Sequence, residues 1–90
     1  MKIKKAQLET LIRMSQRYWS GNYRRGMKLD DELMEAECRS RMLYARKTFG
    51  EDSGYRLCCL VDAINSAKQK RVTIEDTIKI VEMLGYEVTE

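Results

Sequence analysis

Tyr55-Arg56-Leu57-Cys58-Cys59-Leu60-Val61-Asp62-Ala63-Ile64-Asn65-Ser66-Ala67 is the stretch that decides the fold, because its apolar residues cover most of a helical circumference. A helix of that kind needs burial on most sides, so the spacing predicts a central element, and with three further helical patterns along the chain the fold expected is an all-α bundle. The central helix should run from about Ser53 to Gln69, capped by Asp52 or Ser53, with Asp62, Asn65, Ser66 and Gln69 on the wet side.

Downstream, the basic link Lys68-Gln69-Lys70-Arg71 leads to Thr73, an N-cap with Asp76 three residues on. Ile74, Ile78, Val81 and Leu84 then recur on one helical face, and Gly85 supplies the C′ residue. Tyr86 and Val88 are expected to fold back as an extended tail, the one place where strand is expected.

Upstream, a helix is predicted from Asp30, as N-cap, to near Gly50, with Leu29 stapled onto Met34. Leu33, Ala36, Ser40 and Leu43 form one stripe and Met34, Cys38, Met42, Ala45 and Phe49 another. Glu35→Arg39 and Glu37→Arg41 have the spacing of solvated i,i+4 ion pairs. The first helix should span about Lys4 to Ser20. Leu8, Ile12, Ser15 and Trp19 line one stripe, Leu11, Met14 and Tyr18 an adjoining one, and Gly21-Asn22 serve as the exit. The expected architecture is a compact bundle of about four helices in a single domain, residues 1–90. Ninety residues, with no proline and with each glycine falling where a helical pattern stops or starts, leave no room for a second core.

Val72 to Val88 resembles the closing helix of phage-repressor-like helix-turn-helix domains, and Ala63-Ile64-Asn65-Ser66-Ala67-Lys68 is similar to the end of their recognition helix. The resemblance covers about a quarter of the chain and implies DNA binding. Upstream, the short helix, glycine turn and polar recognition start of those domains are not visible, and Tyr55 to Leu60 is too apolar for a major groove.

Charge is unevenly placed. Residues 1–28 hold eight cations and one anion, whereas the other 62 residues hold nine cations and thirteen anions. That asymmetry suits a polyanion or an oppositely patterned protein surface. Arg13 and Arg17 stand one helical turn apart, in line with the run Tyr23-Arg24-Arg25-Gly26-Met27-Lys28, which is expected to lie beyond the helix end. Arg13, Arg17, Tyr23, Arg24, Arg25 and Lys28 are therefore the candidate binding residues, able to follow phosphates or an acidic protein face. Tyr18 and Trp19 continue apolar stripes and are expected in the core.

Catalysis is not expected. The chain has no histidine, no phosphate-cradling glycine loop and no nucleophile elbow, and Asp30, Asp31 and Glu32 read as a helix start. Cys38, Cys58 and Cys59 cannot complete a four-thiolate site. They read as reduced, inert fillers, so neither metal nor cofactor is expected. No apolar run is long enough for a membrane span or signal peptide, so the chain is expected in the cytosol with no membrane partner.

By elimination, the expectation is a non-catalytic binding protein that occupies the surface of a protein or protein–nucleic-acid complex. Its composition matches phage and mobile-element accessory proteins that inhibit or modulate host nucleic-acid machinery. Two alternatives are a DNA-binding transcriptional regulator and a nucleotide-binding or sequestering oligomer. If the acidic second helix is the working surface instead, the chain would imitate nucleic acid.

Overall fold

The computed structural model describes the backbone of residues 2–24, 31–68 and 72–90, and side chains within 2–17, 35–67 and 72–90. Over these residues the order is β1 (Lys2–Lys4), α1 (Lys5–Arg24), α2 (Asp31–Phe49), α3 (Glu51–Lys68), α4 (Ile74–Met83) and β2 (Glu87–Thr89). The chain is thus a four-helix bundle with one short strand pair. The cap at Asp30, the Leu29–Met34 staple and the core positions expected for Tyr18 and Trp19 lie outside the described residues.

α2 and α3 form a helical hairpin joined by Gly50 alone. Its φ of +87° is a conformation that glycine adopts without a Cβ penalty. The junction moves the start of α3 to Glu51, so Asp52 and Ser53, expected as caps, lie inside its first turn. Gly54 sits within the helix for a different reason. A Cβ there would overlap the Ala45 carbonyl and come 2.7 Å from the Arg46 backbone nitrogen, so α2 and α3 meet backbone to backbone at this point.

α1 closes the hairpin. Leu8, Leu11 and Ile12 pack with Ala45 and Phe49 of α2, and with Leu57, Cys58 and Val61 of α3, in one enclosed core. Tyr44 donates to the Gln7 carbonyl at 3.3 Å, and Gln16 Nε2 donates to the Val72 carbonyl at 3.0 Å, tying α1 to α2 and to the approach of α4. α1 also passes through the expected exit at Gly21-Asn22 and ends at Arg24. One glycine costs a helix only about 1 kcal/mol, and with no proline nearby it does not stop one.

α4 is capped as its sequence requires. The Thr73 hydroxyl accepts from the Asp76 N–H at 3.2 Å, while the N–H groups of Gly85 and Tyr86 return to the carbonyls of Glu82 and Val81, forming a Schellman motif. Gly85 has φ +97°. The tail then adds β2 in parallel to β1, with Ile3 opposite Val88. The N-terminal strand is a correction to the expectation of strand only after Gly85. Its signal is the single apolar Ile3, 1% exposed, between two exposed lysines, and its partner lies at the far end of the chain.

Five side-chain placements also differ from expectation. Leu43 and Leu84 continue apolar stripes yet are exposed, because the stripes are wider than the faces their neighbours cover. Cys59, expected in the core, is exposed, while Cys58 beside it is fully enclosed, as adjacent positions about 100° apart require. Asn65 is buried and Asp62 half-buried, although both were expected on the wet side.

Candidate binding surface

Arg13 and Arg17 are exposed on the outer side of α1. Thr10 Oγ1 donates to the Ala6 carbonyl at 3.0 Å and accepts from Arg13 Nη2 at 3.2 Å, which lays the Arg13 guanidinium along the helix. Arg17 stands at a shallow groove of about 200 Å³ between α1 and α2, shared with Met14, Glu37 and Ser40.

Tyr23 and Arg24 lie in the last turn of α1, where the sequence placed them beyond the helix. The difference matters for alignment. At about 100° per residue, Arg24 falls on the same helical face as Arg13 and Arg17, so the continuous helix strings the three positions along roughly 16 Å of its axis. Side chains from Tyr18 to Arg24, together with Arg25 and Lys28, lie outside the description.

A second cluster, missed by sequence reasoning, sits between the three long helices. Arg41 of α2, 3% exposed, donates from Nη2 to Asp62 Oδ2 of α3 at 2.7 Å. Ser15 of α1, with no exposed surface, donates to Asp62 Oδ1 at 2.8 Å and accepts from Asn65 Nδ2 at 3.3 Å. Arg41 also reaches Cys38 Sγ at 3.7 Å. The expected solvated Glu37→Arg41 pair is therefore corrected: the guanidinium turns inward to Asp62. The Glu35–Arg39 pair does lie in solvent, at 2.9 Å.

Burial dominates the cluster's proton affinities. It lifts the Asp62 carboxyl above its ordinary value, against the hydrogen bond from Ser15 and the charge of Arg41. It lifts the Cys58 thiol likewise, against the hydrogen bond to Arg41. For Arg41 itself burial pulls the other way, yet the Cys58 bond and the Asp62 charge together hold it above the usual guanidinium value.

The signals for this cluster were present in the sequence. Ser15 occupies a core position of the first stripe, and Arg41 falls between Cys38 and Ala45 on an apolar stripe of α2. A polar side chain at such a position requires an internal partner. Ser15, Arg41 and Asn65 are closed to solvent, so the arrangement can clamp α1, α2 and α3 in fixed relation. Among the described residues, no three cysteine or carboxylate side chains gather in a way that could hold a metal ion, and no helix is long and apolar enough to cross a membrane.

Comparison of the chain with known protein families, with curated proteins and with solved structures gave no match.

Proposed function

We propose that this chain is a non-catalytic binding protein that sets the arginine line of α1 on a nucleic-acid-associated partner, modulating host nucleic-acid machinery as phage and mobile-element accessory proteins do. The observation that carries this reading is the continuity of α1 through Arg24, which puts Arg13, Arg17 and Arg24 on one helical face. Exposed Lys2 and Lys4 add to the positive potential at the other end of the helix. The Arg41–Asp62–Ser15 clamp supports the reading further, because a rigid α1 presents its cations without the entropy loss of ordering a flexible arm.

The test is capture from the native host with wild type and R13E/R17E, each with and without nuclease. Both arginines are exposed, so the variant should keep its helical content and melting temperature. The expected result is a partner that survives nuclease treatment and is lost by the variant. Nuclease-sensitive capture, with duplex binding that weakens steeply as salt rises, would favour the DNA-binding regulator. Capture unaffected by R13E/R17E but abolished by E35K would shift the working surface to the acidic second helix and defeat the proposal.

A further inference from the structure

We draw no further inference here: the strongest candidate, the surface patch where Arg56 and Leu60 of α3 form a groove with Leu84 and Tyr86 beside exposed Met83, rests on exposed apolar side chains alone, and nothing in the structure shows what covers them.

Discussion

Arg41 carries a guanidinium to a place where water reaches 3% of its side chain, and its charge persists there because the Asp62 carboxyl group faces it at 2.7 Å. Replacing Arg41 alone with Met should cost about 2–3 kcal/mol, somewhat below the penalty for breaking a fully enclosed pair because Asp62 keeps an edge in water. The double change R41M/D62L should recover most of that loss, and urea denaturation of the two variants checks both values. Asp62 also fixes a pH dependence. Its folded-state proton affinity is raised, so its contribution is fully present below the unfolded value and is lost as pH rises through the folded one. The unfolding free energy of wild type, referred to D62N, should therefore fall as pH climbs from about 4 towards neutrality. A rise would mean that the Arg41 charge outweighs burial. Arg41 was hard to read because Glu37→Arg41 satisfies the i,i+4 rule on paper, and the sequence does not show which of two acids a long side chain will reach.

At the level of elements, α2 and α3 depend on a glycine that makes no turn. Gly54→Ala should cost on the order of 1–3 kcal/mol, the usual range for overpacking, because the atom it would meet is backbone and cannot rotate away. Thermal denaturation measures this, and the same substitution at an exposed helical site should instead stabilise slightly. α4 was legible from its sequence down to the cap, since every device it uses acts within five residues: Thr73 to Asp76, Gly85 to Glu82, Tyr86 to Val81. Gly21, Gly50 and Gly54 share a letter but have three roles: one sits inside α1, one links two helices, and one lets backbones touch. Those roles follow from contacts between elements, which local pattern does not encode. Of the candidate binding residues, Arg13 and Arg17 were placed correctly as exposed, because a cation opposite an apolar stripe has nowhere else to go. The end of α1 was placed too early by trusting Gly21.

Across the whole molecule, the two adjacent cysteines provide a gauge of opening. A thiol reagent should modify exposed Cys59 quickly. Cys58 should react only through global unfolding, at a rate reduced by nearly the full unfolding equilibrium constant. Comparable rates at the two sites would mean that α3 opens locally. The parallel pairing of β1 and β2 acts over the longest span, since Thr89 Oγ1 donates to the Ile3 carbonyl 86 residues away in sequence. At ribosomal speeds of about 5–20 residues per second, α1, α2 and α3 can emerge and pack while β1 still has no neighbour, a wait on the order of ten seconds. During that interval the nascent chain presents a bare strand edge with Ile3 unshielded, so β1 waits for a neighbour that leaves the ribosome only after all four helices have been made.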